Sequence, residues 1–371
     1  MAPPAERPPA SNRKGRSGNP AVRSGSQPAR PVTRPADQPR PVQQRAQPTH
    51  PVAVAEPEVL PTDGAAYPLV LRGPGYQPGR SVLGVVLGLS LFLLLTGVLS
   101  QAVVALGWAL TAGDQPYREY VRSASAFERP IGMLGVNLGI ATLIPIACLI
   151  LWLVHRVHPR WLFSVGPGIR WRYLLVCLGI AVLSLNGVLL LSQLAVPGRL
   201  ATGAQPGFWG FLIVIVLTSP LQAAAEEIFF RGYLMQALGS LVARPWFGVV
   251  VSSVLFALLH GTQNLPLFVD RLAFGLLAGV LVWRTGGLEA GIAAHVVNNV
   301  CAYLFAGLTT GIATLKAVRE IGWQDAAFDV GGFAVFALLA YLAFRALRMR
   351  HTVDLGGPGI EHRPAERGAS G

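Results

Sequence analysis

The fold class this sequence predicts is all-α: a membrane bundle of about eight transmembrane helices behind a disordered, Pro/Arg-rich N-terminal tail. Three observations carry that expectation. Of the 371 residues, 52% are hydrophobic and 13% are charged, about half the charged share of an ordinary soluble domain, so the middle of the chain needs an apolar solvent. Eight apolar runs follow one another at roughly 81–110, 131–154, 173–195, 208–240, 246–261, 265–283, 288–308 and 329–347. Most are long enough, or nearly so, for the ~20 helical residues that cross a hydrocarbon core. Finally, the arginines collect between alternate runs, as they do in polytopic membrane proteins.

Residues 1–68 are rich in Pro, Arg, Gln, Ser and Ala and poor in large apolar side chains. Such a segment cannot bury enough surface to offset its ordering entropy, so a disordered basic tail is expected. It lacks the apolar core and cleavage site of a secretory signal. The first three crossings occupy 81–195, four more occupy 208–308, and the last occupies 329–347, before a disordered C-terminal tail at 351–371. The fourth run is too long for one crossing and holds Pro220, and the fifth is short.

The net charge of +12 does not indicate nucleic acid, because the basic residues lie among prolines or at the ends of apolar runs. The expected partner is membrane lipid. The 155–172 loop holds Arg156, Arg160, Arg170 and Arg172 with no acid; Arg72 and Arg80 precede the first run, and Arg345, Arg348 and Arg350 follow the last. An even number of crossings puts these on one side, so both termini are expected in the cytoplasm of a cell-membrane protein. Cys148, Cys177 and Cys301 have neither disulfide nor zinc-site spacing and are expected as small buried side chains.

Ionisable groups at bilayer depth are expensive and mark function. Only two histidines, His260 and His295, and four acids, Glu226, Glu227, Asp270 and Glu289, fall well inside apolar runs. On a helix, Glu227 and Arg231 are four apart and face each other. Glu226, rotated about 100° from Glu227, is left to face another element. Glu226 and His260 are each 17 residues from Ala243, so an antiparallel hairpin turning near Ala243 brings them to one depth. His295 and Asn299 share a helix face; Asn298 lies close to it, and spacing alone does not choose between the asparagines. Phe256, one turn before His260, is expected to pack beside it. Glu289 starts a helix, where a negative charge suits the dipole, and Asp270 is expected to be structural or cavity-lining. His295 is nine residues beyond Gly286, so the Ala243 hairpin must project roughly 12 Å further than the Gly286 turn for the polar groups to meet.

These pieces, Glu226-Glu227-x-x-x-Arg231, Phe256-x-x-x-His260 and His295-x-x-x-Asn299, together resemble the CAAX-protease and bacteriocin-processing family of intramembrane endopeptidases. This is the type II CAAX prenyl protease or abortive-infection family. The resemblance covers about residues 173–308. It implies a bundle around a cavity in which Glu226 and His260 activate water, His295 and Asn299 act at the carbonyl oxygen, and Glu227, Arg231 and Phe256 support the site. Metal-independent glutamate chemistry is favoured, since the H-E-x-x-H spacing is absent; zinc is the alternative, with Glu226, His260 and His295 as ligands. The competing functions are a non-catalytic adaptor or immunity factor that keeps the fold, and a small-solute transporter. Clustering of the polar groups at one level, rather than along a path, speaks against the last.

Overall fold

The computed structural model describes residues 59–111, 113–195 and 203–356. Among these the structure is helical, without strands beyond two isolated bridges, Ala66 to Thr352 and Ser164 to Gly287. Among the described residues seven helices are long and apolar enough to cross a membrane, and an eighth apolar helix is shorter. They are α1 (Pro78–Thr111), α2 (Pro130–His155), α3 (Trp171–Ala195), α4 (Phe208–Val242), α5 (Pro245–Leu258), α6 (Leu265–Thr285), α7 (Glu289–Leu308) and α8 (Trp323–Ala346).

The outer faces are apolar. Leu94 of α1, Leu183 of α3, Leu217 of α4 and Leu342 of α8 are all more than half exposed. A soluble protein rarely shows apolar area on that scale, whereas lipid covers it without cost. Between helices the contacts run through small residues, as bilayer packing demands. Gly135 and Gly139 of α2 meet the backbone of Ser100 and Thr96 of α1, and both hydroxyls donate to those glycine carbonyls (3.0 and 3.3 Å). Gly275 and Gly279 of α6 lie close against Ser253 and Val249 of α5. Pro220 lies inside α4, and the adjacent Thr218 and Ser219 hydroxyls accept from Asn137 of α2 at 2.8 and 3.3 Å.

The arginine-bearing segments gather at one end. Val59 bonds to the Arg156 carbonyl, Val353 to Ala65, Val165 to Gly286, and Arg72 reaches the Ser240 carbonyl. The starts of α1 and α7 and the ends of α2, α4, α6 and α8 therefore lie towards one side of the bundle. Both expected tail boundaries fall inside packed segments. Residues 59–68 pack, with Tyr67 fully buried and donating to the Leu162 carbonyl, and Val353 is buried as well. Val59, Leu60, Tyr67, Val70 and Leu71 supply the apolar area that the first fifty residues lack. Most of the tail, 1–58, and the terminal 357–371 lie outside the described residues, as does Arg199.

Two other boundaries move. The last helix begins at Trp323 rather than 329, because Asp325 accepts from the Gly322 amide (3.2 Å) and caps the start; a capped polar turn adds length that hydropathy does not register. The fifth helix ends at Leu258, and His260 sits in the following turn, which Gly261 closes with a positive φ of 83°. Non-helical backbone at depth is tolerated where it lines protein rather than lipid. Glu289 does begin α7, as expected, and Arg170 clasps it with Nε and Nη2 at 2.8 and 2.6 Å. Among the described residues the three cysteines are free, with Cys177 buried and the other two half-buried.

Candidate active site

Helix α4 changes its winding where the polar residues begin. It is α-helical to Glu226 and π-helical from Glu227 to Leu234, a local widening frequent at functional sites. Both glutamates and Arg231 are buried. Glu227 Oε1 accepts from Arg231 Nη1 at 2.9 Å and from His295 Nδ1 at 2.8 Å. The i, i+4 pairing expected from the sequence is therefore present, and Glu227 also holds α7.

Glu226, expected to face another element, faces the same imidazole from its other side, with Oε2 lying 3.4 Å from His295 Nε2. The two carboxylates diverge on their helix, yet both reach one residue because the ring presents opposite nitrogens to them. With Nδ1 donating to Glu227, Nε2 faces the Glu226 oxygen across 3.4 Å, an ion pair when the ring is protonated. With His295 protonated, the four groups Glu226, Glu227, Arg231 and His295 sum to zero charge, which would offset the cost of burying them.

Phe256 sits at the centre of the aromatic packing. Its ring is 4.5 Å from that of His260 and 6.0 Å from that of His295, and the Arg231 guanidinium stacks 4.0 Å from its centroid. His260 is exposed, its Nδ1 donates to the Phe256 carbonyl at 2.7 Å, and Nε2 is left as an acceptor. His260 is within electrostatic reach of Glu226 and His295, with the Phe256 ring between the two imidazoles.

The two asparagines separate in three dimensions. Asn299 Nδ2 donates to Gln222 Oε1 at 3.0 Å, and Gln222 is buried one turn before Glu226. Asn298 Nδ2 donates to Asn299 Oδ1 at 3.3 Å, and Asn298 lines a separate cavity. Asn299 thus stands with the glutamate and Asn298 behind it. The required offset between hairpins is also present: Gly232 lies against Leu288, beside the Gly286 turn, and α4 continues ten residues further to Val242.

Three contributors escaped the sequence. Gln222 could have been found, since it is four residues before Glu226 on the same face. Phe274 of α6 packs 5.1 Å from both the His295 ring and the Arg231 guanidinium, and nothing in its run distinguishes it. Gly291 of α7 leaves room for Glu227; a β-carbon there would stand 2.7 Å from Glu227 Oε2.

The zinc alternative would draw on Glu226, His260 and His295. Among the described residues no group of three or more His, Cys, Asp or Glu side chains is arranged to hold a metal ion. Both nitrogens of His295 already face carboxylates, and His260 is tied to its own helix through Nδ1.

Residues 208–301 match the family model of the type II CAAX prenyl endopeptidases, Rce1-like. This segment is similar to that family. It spans every position of the three motifs, and the family is the one they resemble. Over 144 residues the chain is 33% identical to an uncharacterized protein, YyaK, of Bacillus subtilis (strain 168), a match covering 36% of this chain and 48% of that protein. The chain thus spans about half the length of the curated relative it matches. No solved structure matches the chain. With its apolar helices, the Rce1-like segment belongs to a multi-pass membrane protein.

Proposed function

We propose that the Rce1-like segment is an intramembrane endopeptidase that hydrolyses a peptide bond of a membrane-associated protein or peptide. The observation that carries this is His295 held between Glu226 and Glu227, buried among the apolar helices. Hydrolysis needs a base for water, a proton for the leaving amine and donors for the oxyanion, and the site has a candidate for each.

A water between Glu226 and His260 Nε2 attacks the carbonyl carbon while Glu226 takes its proton. His295 Nε2–H, with its positive charge stabilised by Glu227, donates to the developing oxyanion. Asn299 adds a second donor, since its amide has two N–H bonds and Gln222 uses one. Collapse of the tetrahedral intermediate breaks the C–N bond, and the proton held by Glu226 passes to the amine. No step is routed through a metal. The orientation belongs to the same proposal: the arginine-bearing end faces the cytoplasm of the cell membrane, with the site opening within the bilayer.

The test is cleavage of a defined peptide library by the purified chain, wild type beside Glu226→Gln. Cleavage should be present in the wild type and lost in a folded, membrane-inserted variant. A folded wild type that cuts nothing would favour the adaptor or immunity-factor function.

A further inference from the structure

Beside the site lies a cavity of about 380 Å³ between α3, α7 and α8 that none of the proposed chemistry uses. Its walls are mostly apolar, with Val297 and Phe305 on α7 and Phe333 on α8. Its polar atoms come from Asn186, Asn298, Thr310 and Asp329, and no Lys, Arg or His lines it. One end touches the site, because Asn298 is hydrogen-bonded to Asn299. Phe333 packs 4.6 Å from Phe274, which itself packs against His295.

Asp329 is the feature that calls for a ligand. It is exposed to this cavity six residues into α8, and among the described residues no cation forms an ion pair with it. The basic side chains on neighbouring elements are engaged elsewhere. Arg271 donates to Gln263 Oε1 at 2.7 Å, Arg319 donates to the Lys316 and Val318 carbonyls at 2.9 Å, and Lys316 lies over the Phe127 ring. Asp270 and Asp325 are both within electrostatic reach of Asp329, and Arg271 is within reach of Asp270. Asp270 also has a buried carboxylate oxygen with no hydrogen-bond partner.

We infer that this cavity is a substrate subsite that takes a basic side chain, Arg or Lys, from the peptide being cut. The inference rests on the peptidase function proposed above and names part of its specificity. The aliphatic stem lies along the apolar wall while the cationic head meets Asp329, the disposition such side chains adopt wherever apolar and charged surfaces adjoin. Asn298 and Asn186 supply further acceptors for N–H groups. A charge-assisted hydrogen bond contributes enough to give about a tenfold preference over an uncharged side chain.

The experiment uses apolar octapeptides identical but for one residue, Arg, norleucine or Glu, moved along the sequence. Binding is measured by fluorescence anisotropy on the full chain carrying Glu226→Gln, so that it is read without cleavage. Cleavage is measured separately with Glu226 intact. At one position the Arg peptide should bind about tenfold more tightly than the norleucine peptide, and kcat/KM should follow. Asp329→Asn should bring that ratio to about one, and Asp329→Lys should turn the preference towards Glu. Equal binding of Arg and norleucine peptides at every position overturns the subsite, as does an Arg preference that survives Asp329→Asn in folded protein. If binding is selective but nothing is cut, the subsite stands and the peptidase proposal falls.

Discussion

Glu227 Oε1 ties Arg231 on its own helix to His295 on another, and that double duty separates the two neighbouring glutamates. Replacing Glu227 with Gln leaves Arg231 buried without its anion, a change of the kind that costs about 3–5 kcal/mol; reduced yield and a lowered unfolding temperature should accompany lost activity. Glu226→Gln should lose activity while unfolding near the wild-type temperature, and equal folding defects in the two variants would remove the distinction. Gly291 gives a second residue-level expectation. Gly291→Ala presses a methyl to 2.7 Å from Glu227 Oε2, an overpacking of the kind that costs about 1–3 kcal/mol, and activity should fall with stability. Gly179→Ala, in α3 with nothing within 4 Å, is the control and should be neutral or slightly stabilising. If both alanines behave alike in thermal unfolding and peptide cleavage, Gly291 is not making room for the carboxylate.

At the scale of elements, α7 carries His295 and Asn299, and the position of its first turn sets where they stand. Arg170 fixes that turn. It clasps Glu289, which is 1% exposed, and adds a bond to the Thr285 carbonyl at 2.8 Å. Arg170→Ala should destabilise the protein by about 3–5 kcal/mol by leaving Glu289 buried and unpaired. Arg170→Lys should recover only part of this, because an ammonium cannot reproduce the planar two-point grip. Unfolding of the purified variants measures both, and a lysine variant as stable as wild type would show that charge alone suffices. The antiparallel α4–α5 hairpin shows the same dependence on element geometry. Phe256 enters the site from the last turn of α5, and His260 reaches it from the turn beyond.

For the whole molecule, the expectation concerns sidedness. Residues 59–72, the 155–170 loop, the Gly286 turn and residues 348–353 meet at one end through direct hydrogen bonds. Reporter fusions after residues 165 and 350 should therefore report the same compartment, which in the proposed orientation is the cytoplasm. Opposite signals from the two fusions would mean that the short α5 is not a full crossing, since the seven longer helices alone give an odd count.

Much of this was written into the sequence. Apolar runs declare membrane helices because a bilayer cannot satisfy exposed backbone groups, so length and hydropathy decide the segments with little help from packing. Acids and histidines inside those runs announced Glu226, Glu227, His260 and His295, since such residues are too costly at depth to be incidental. Helical spacing fixed the Glu227–Arg231 pair. Tertiary structure alone decided what depends on the approach of separate helices. It brought Glu226 and Glu227 to opposite nitrogens of His295, put Asn299 beside Gln222 with Asn298 behind it, and drew Phe274 and Gly291 into the site. It also packed residues 59–68 against the Arg156–Leu162 region and Val353. A single sequence records spacing along one helix; which face of one helix meets which face of another follows from close packing and burial, and those are settled only when all the helices are present together.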